Sequence, residues 1–361
     1  LARREEELCS LYPWFQSKLE KELKTTQATR QGRVGISPST QKQRRAFLQP
    51  MQSLDNGWNE THVTSWIQRV LNHAEEHEEV DILLEPKLDG LSLNLRYLLS
   101  DNKYELQWGA TRGDGTCGED VTAAVHQISN IPNHLASSSS SAQYLEIRGE
   151  VVFPLSTFSN STISSSYSNP RNAASGILLR REDNEDEDTK VLQSQLKFYA
   201  YSLICENDTD DILHNGWEVR ERLQQLGFTV PGPCDVVTFS SSFSSSEDND
   251  ALTRIIRYYQ TLQDGDLDFD VDGAVYKVSS LNLRKSMGQS TRAPKWAMAH
   301  KFPPTFAVTT LQNITVQVGR TGSLTPVAIL SPVTIGGVTI ARATLHNFGM
   351  ARDILGDDIS S

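Results

Sequence analysis

Residues 84–90 read Leu-Glu-Pro-Lys-Leu-Asp-Gly and close the mostly apolar run Val80-Asp81-Ile82-Leu83-Leu84. A lysine near the end of a buried strand, with Glu85 and Asp89 beside it and Pro86 and Gly90 shaping the backbone, is placed for contact rather than solvation. If the segment is extended, Lys87 and Asp89 share one face. A lysine amine attacks an electrophile only when unprotonated, and nearby positive charge or burial favours that form. Lys277 and Lys301 are the cations expected to act on it, and Asp89 would orient the amine or help hold a metal. On KLDG alone, an ion-paired lysine at a strand end is the simpler account.

The elements around that lysine are readable from periodicity. Asn59 or Thr61 can cap a helix whose apolar stripe is Val63, Trp66, Ile67, Val70 and Leu71. Leu91, Leu93, Leu95 and Tyr97 alternate with Ser92, Asn94 and Arg96, which predicts a strand with one buried and one polar face. Leu145, Ile147 and Val151 oppose Glu146, Arg148 and Glu150 in the same way. Trp296, Met298, His300 and Phe302 oppose Lys295, Ala297, Ala299 and Lys301, so Lys301 projects over small neighbours that leave room for a ligand. Asp272 lies an odd number of positions before Lys277, so either a bulge intervenes or only Lys277 faces the pocket.

Residues 1–27 have the charge density and leucine spacing of a helix or helix pair, and residues 25–43 read as a polar linker. Three serine-rich tracts, at 137–141, 159–168 and 240–246, and the acidic run 182–188 are expected to be solvated loop insertions. From Leu311 onward, short Val/Ile/Thr runs between glycines and prolines suggest a small β-barrel.

The 361 residues carry a formal net charge of -11, but the charge is unevenly spread. Between Gly273 and Arg352 there is no Asp or Glu, while Lys277, Arg284, Lys285, Arg292, Lys295, Lys301, Arg320, Arg342 and Arg352 are all cationic. Such a block favours a phosphate-bearing partner, because neutralising phosphates releases condensed counterions. Cys9, Cys117, Cys205 and Cys234 form no C-x-x-C pair, which argues against a zinc site or a disulfide framework in these residues. No apolar run is long enough for a transmembrane helix. The sequence opens Leu-Ala-Arg-Arg-Glu-Glu-Glu, so we expect a piece of a longer chain and read no targeting from it.

KLDG is followed in order by GATRGDG (109–115), LEIRGE (145–150), NPRNAA (169–174), DGAVYK (272–277) and AHKFP (299–303). PMQSL (50–54), QVGRTG (317–322) and ATLHN (343–347) extend the series. This ordered set closely resembles the NAD-dependent DNA ligases and covers nearly everything from residue 50 onward. The resemblance implies an α+β chain: a nucleotidyltransferase (ATP-grasp-like adenylation) fold of antiparallel sheets with flanking helices, followed by the start of an OB-type β-barrel. The expected divisions are a partial N-terminal helical region and linker over 1–45, an adenylation domain over 46–306, and an incomplete OB-fold domain over 307–361.

In that family the lysine of KxDG attacks the AMP phosphorus of NAD, expels nicotinamide mononucleotide and forms an AMP-lysine. The AMP passes to the 5'-phosphate at a DNA nick, and the 3'-hydroxyl displaces it, in replication and repair. Lys87 takes the nucleophile's place by resemblance, with Asp89 beside it. Ser53, Leu54 and Glu85 look like the adenine side of the pocket, Arg112 and Glu150 the ribose and phosphate region, and Lys277 and Lys301 the α-phosphate contacts. The alternatives are an exposed Arg112, a Glu150 that pairs with Arg148, and lysines that touch DNA backbone instead. The resemblance also implies Mg2+, held by Asp89 or Glu150, directly or through water, with Asp272 the less favoured ligand. Arg171 would touch DNA phosphate or brace the pocket. The expected partner is nicked double-stranded DNA, with no membrane and a monomeric state.

Two departures stand out. The family's nicotinamide-binding S-D-x-E-Y-D type motif is not found, and residues 4–13 resemble the helix just after it, so the chain is expected to begin midway through that domain. Phe47 stands where the family usually has a histidine. The family's four-cysteine zinc module, helix-hairpin-helix domain and BRCT domain would follow the barrel, so weak clamping on DNA is expected: transfer from preformed AMP-lysine, but poor complete sealing. The competing readings are an ATP-dependent nucleotidyltransferase of ligase or capping type, and a non-catalytic DNA-binding remnant without a donor site.

Overall fold

The computed structural model describes residues 43–75, 78–136, 142–159, 163–180, 187–206, 213–240, 246–319 and 322–356. The expected N-terminal helices, the linker after them up to residue 42, the serine tract 137–141, residues 241–245 of the tract 240–246, residues 182–186 of the acidic run and Arg320 lie outside the described residues. One compact unit ends at Pro303 and a second begins at Pro304.

Two five-stranded sheets build the first unit. In one, β3 (Glu79–Leu88) lies between β10 (Asp235–Ser240) and β11 (Val271–Val278), both antiparallel to it. β11 then pairs with antiparallel β12 (Ala297–Lys301), and β12 with parallel β2 (Asp55–Gly57). Alternate residues of these strands, Ile82, Leu84, Ala274, Tyr276, Val278 and Met298, bury one face against α1 (Glu60–Leu71) and α8 (Ser246–Asp264). The α1 stripe is the five residues expected, and the Asn59 side chain caps it by accepting from the His62 amide at 2.9 Å. Such a cap stabilises a helix by about 1 kcal/mol.

The second sheet runs β7-β5-β4-β8-β9, with β4 (Leu91–Ser100) at its centre. β5 (Lys103–Thr111) and β8 (Tyr144–Val152) flank it, with β7 (His134–Ala136) and β9 (Lys197–Cys205) at the edges. The β4–β5 hairpin turns through Asp101 and Asn102, both left-handed at φ 47° and 63°, as a tight two-residue hairpin requires. Leu93, Leu95, Tyr97, Ile147, Val151 and Phe198 form the apolar face, covered by α2 (Thr122–Gln127), α5 (Pro170–Leu178) and α7 (Gly216–Gln225). The other face carries Ser92, Asn94, Arg96, Glu146, Arg148 and Glu150. Asp89 and Gly90 step the chain from the first sheet to the second. A Cβ at Gly90 would lie 2.2 Å from the Val151 carbonyl oxygen, so only glycine allows that close crossing.

Part of the tract at 159–168 is not a solvated loop. α3 (Leu155–Ser159) leads toward it, and Ile163–Ser166 forms a short helix, α4, with Ile163 buried and Tyr167 packed on the core. One isoleucine and one tyrosine supply the apolar contact that the surrounding serines lack. Glu187 and Asp188, the end of the acidic run, open α6 (Glu187–Ser194), where negative charge suits a helix N-terminus. α9 (Leu281–Met287) follows β11.

The second unit is an antiparallel meander of β13 (Leu311–Val318), β14 (Leu324–Ile335) and β15 (Val338–Thr344), followed by α10 (Phe348–Leu355). Ile314, Ala328, Leu345 and Ala351 form its small core. Among the described residues, no helix is long and apolar enough to cross a membrane.

Candidate active site

The unburied face of the first sheet carries Lys87. Lys87 on β3 pairs in register with Gly273 on β11, and Gly273 pairs with Lys301 on β12. The three residues form a row whose centre has no side chain. Gly273 has φ 153°, and a Cβ there would come within 2.1 Å of the His300 carbonyl oxygen. The register shifts between Val271 and Gly273, which is the bulge that residue parity left open. It returns the Asp272 carboxylate to the Lys87 side: Oδ1 lies 2.8 Å from Lys87 Nζ and Oδ2 3.4 Å from Lys301 Nζ. Asp272, the less favoured carboxylate in sequence, is thus the one nearest the amine.

Lys277 shares that face but stands apart. It pairs in register with Leu83, four residues from the Lys87–Gly273 pair, or about 13 Å along the strand. Its ammonium lies 2.5 Å from Glu85 Oε2, reaches the Tyr201 carbonyl at 3.5 Å and sits over the Tyr201 ring. The structure therefore brings Lys301 to Lys87 and places Lys277 with Glu85 instead, because β11 carries it in the opposite direction. Glu85 is 4% exposed. Its other oxygen, Oε1, accepts from Arg220 of α7 at 3.4 Å. These groups line a cavity between the sheets with Tyr201 and Arg284.

Carboxylates gather on the other side of Lys87. Glu150 accepts from Ser92 Oγ at 2.8 Å and is not paired with Arg148. Burial pushes its carboxyl up to about 7, against the pull of Ser92, Lys87 and Arg171. Asp89 is bound by Arg171 Nη1 at 2.5 Å, and its amide donates to the Asp270 carbonyl at 2.8 Å. Arg171 thus holds the carboxylate two residues from Lys87, while its own side chain stays largely exposed. Burial and the Asp89 charge also hold the Asp270 carboxyl above its ordinary range. Among the described residues, no three His, Cys, Asp or Glu side chains converge as a metal cage. A metal that keeps most of its waters and binds one or two carboxylates still fits Asp89 and Glu150.

Ser53 and Arg112 meet at the edge, with Leu54 next in sequence to Ser53. Arg112 Nη1 lies 3.4 Å from Ser53 Oγ, and Leu54 immediately precedes β2, the strand beside β12. Arg112 is exposed but partnered. The segment leading to Ser53 is strapped down by the polar face of the second sheet. Arg148 Nη1 donates to the Pro50 carbonyl at 3.0 Å and Nη2 to that of Gln49, while buried Glu146 accepts from the Leu48 amide at 2.9 Å. Arg96 donates to the Ala46 carbonyl at 3.0 Å and pairs with Glu146. β1 (Arg44–Ala46) adds an antiparallel pair with β6 (Cys117–Glu119), reinforced by Arg45–Asp120 at 2.6 Å.

Sequence reasoning passed over Arg220, Asp270 and the strapping roles of Glu146 and Arg148, and named Arg284 only as one of a block of cations. The available signal for Arg220 was its position beside Val219 and Leu223, at the edge of the inward stripe of α7.

The family model for the NAD-dependent DNA ligase adenylation domain matches residues 40–305, and that for the NAD-dependent DNA ligase OB-fold domain matches residues 308–359. A DNA ligase of Bartonella tribocorum is 38% identical over 326 residues, covering 87% of this chain and 42% of its own length. One from Agrobacterium fabrum is 37% identical over 329 residues, with the same coverage of 87% and 42%. One from Pelobacter propionicus is 40% identical over 311 residues, covering 82% of this chain and 40% of its own length. The chain thus spans less than half the length of these curated relatives.

Proposed function

This chain belongs to the NAD-dependent DNA ligase family, and from that premise we propose that it is the adenylylation core of such an enzyme, with Lys87 as the nucleophile. The observation that carries the reading is the row Lys87–Gly273–Lys301 with the Asp272 carboxylate bridging both ammoniums. The Lys87 amine attacks the adenylate phosphorus of NAD; the N–P bond forms as the P–O bond to nicotinamide mononucleotide breaks, and that mononucleotide leaves. Asp272, at 2.8 Å, is placed to take the proton the amine gives up. Lys301 is placed to neutralise charge on the phosphoryl oxygens.

Lys277 and Glu85 do different work in this reading. An ammonium donor beside a carboxylate acceptor complements the edge of adenine, which offers a ring-nitrogen acceptor beside an amino donor. Lys277 therefore belongs with the base rather than the α-phosphate. Glu150 and Arg112 are assigned to the ribose and phosphate region. Asp89 and Glu150 are the residues that would hold Mg2+ through water, which when bound neutralises charge at the reacting phosphate. The AMP then goes to the 5'-phosphate of nicked double-stranded DNA, a partner suited to the carboxylate-free stretch between Gly273 and Arg352. No step requires a second copy of the chain, so we propose a monomer. The adenylation and OB-fold divisions expected from sequence serve these two tasks.

Intact-mass measurement after incubation with Mg2+ and either NAD or ATP tests this. The expected result is an AMP adduct from NAD alone, absent in Lys87→Ala. An adduct from ATP alone, an adduct that survives Lys87→Ala, or no adduct from either donor overturns the proposal.

A further inference from the structure

We propose that Arg220 is a positioning residue that sets the base specificity of the site by holding the Glu85 carboxylate so that Oε2 faces the base. The inference rests on the adenylylation reading above. Glu85 and Arg220 are both strongly desolvated, their side chains 5% and 12% exposed, and each Glu85 oxygen has its own cation: Arg220 on Oε1 and Lys277 on Oε2. A third cation, Arg284, lines the same cavity, stacked on Trp296 and tied through Nε to the Val278 carbonyl at 2.5 Å. Burial pulls Arg284 down to about 10 while the Glu85 charge pushes it up, and no carboxylate pairs with it among the described residues. One anion therefore faces three cations.

That surplus has a purpose when a base enters. Oε2 has two acceptor positions, so it can take a hydrogen bond from an exocyclic amine while Lys277 turns toward the ring nitrogen of the base. With Lys277 turned to the base, a carboxylate held at neither oxygen could rotate its acceptor away from the 6-position of a purine. Arg220 prevents this. It reaches Glu85 from α7, outside either sheet, so it stays on Oε1 when Lys277 moves. Oε2 then stays aimed at the 6-position, where it accepts from a 6-amino group and meets a 6-oxo group lone pair against lone pair.

The test offers each protein an equimolar mixture of NAD and nicotinamide hypoxanthine dinucleotide and reads the ratio of the two Lys87 nucleotide adducts by intact mass. A ratio within one sample does not depend on the fraction folded. Wild type should favour the adenine donor. Arg220→Gln should lower that preference about tenfold or more, the value of a charge-assisted hydrogen bond, and Arg220→Lys should keep most of it. A ratio unchanged in Arg220→Gln, or lowered equally in Arg220→Lys, overturns the inference while leaving the adenylylation reading intact. Absence of any adduct in wild type overturns both.

Discussion

Glu150 offers a measurement that probes the pocket without any nucleotide. Its carboxyl is raised from an ordinary 4.5 to about 7, chiefly by burial, with Asp89 adding to the rise and Ser92, Lys87 and Arg171 opposing it. The folded chain therefore holds a proton over a pH range in which the unfolded chain has lost it. The stability tied to this group is intact below 4.5 and is lost as pH rises through about 7. The interval corresponds to at most about 3 kcal/mol. Glu150→Gln cannot ionise and can still accept the Ser92 hydroxyl, so the loss should vanish. Urea unfolding at pH 5 and pH 8 should show the variant close to wild type at the lower pH and more stable, by about 2 to 3 kcal/mol, at the higher one. A stability difference that does not change with pH, or a variant less stable at pH 8, would refute the burial argument.

Three other perturbations probe the remaining supports. Glu85→Gln leaves Lys277 and Arg220 without their buried anion, and denaturant titration should show a loss of about 3 to 5 kcal/mol. Gly273→Ala drives a methyl into the His300 carbonyl and must part β11 from β12; the melting temperature and the rate of Lys87 adduct formation should both fall, and normal adduct formation would show the row to be dispensable. Arg148→Met frees the carbonyls of Gln49 and Pro50, so limited proteolysis should cut near residues 46–53 faster than in wild type, with the rest of the unit protected.

Local pattern was a good guide wherever one element decided the outcome. The α1 stripe, the alternation of β4 and β8, and the shared face of Lys301 with Ala297 and Ala299 follow from periods of 3.6 and 2 alone. The site needed more. Asp272 reaches Lys87 only because a bulge resets parity, and one glycine in a strand does not announce which neighbour it turns. Lys277 ended beside Glu85 because antiparallel pairing carries it away from Lys87, and register is a property of two strands. Arg220 and Arg284 enter the cavity from helices, so no single segment contains their contact with Glu85. Ile163 shows the converse: a mostly serine tract folds where one side chain finds a core.

The glycine between Lys87 and Lys301 also makes the two cation-bearing positions a gauge. With nothing projecting from the middle strand, their backbone separation is two strand spacings, about 10 Å. That length is written in main-chain hydrogen bonds rather than rotamers, so ionic strength or a neighbouring substitution can turn either side chain but cannot rescale the aperture in which a phosphate would have to sit.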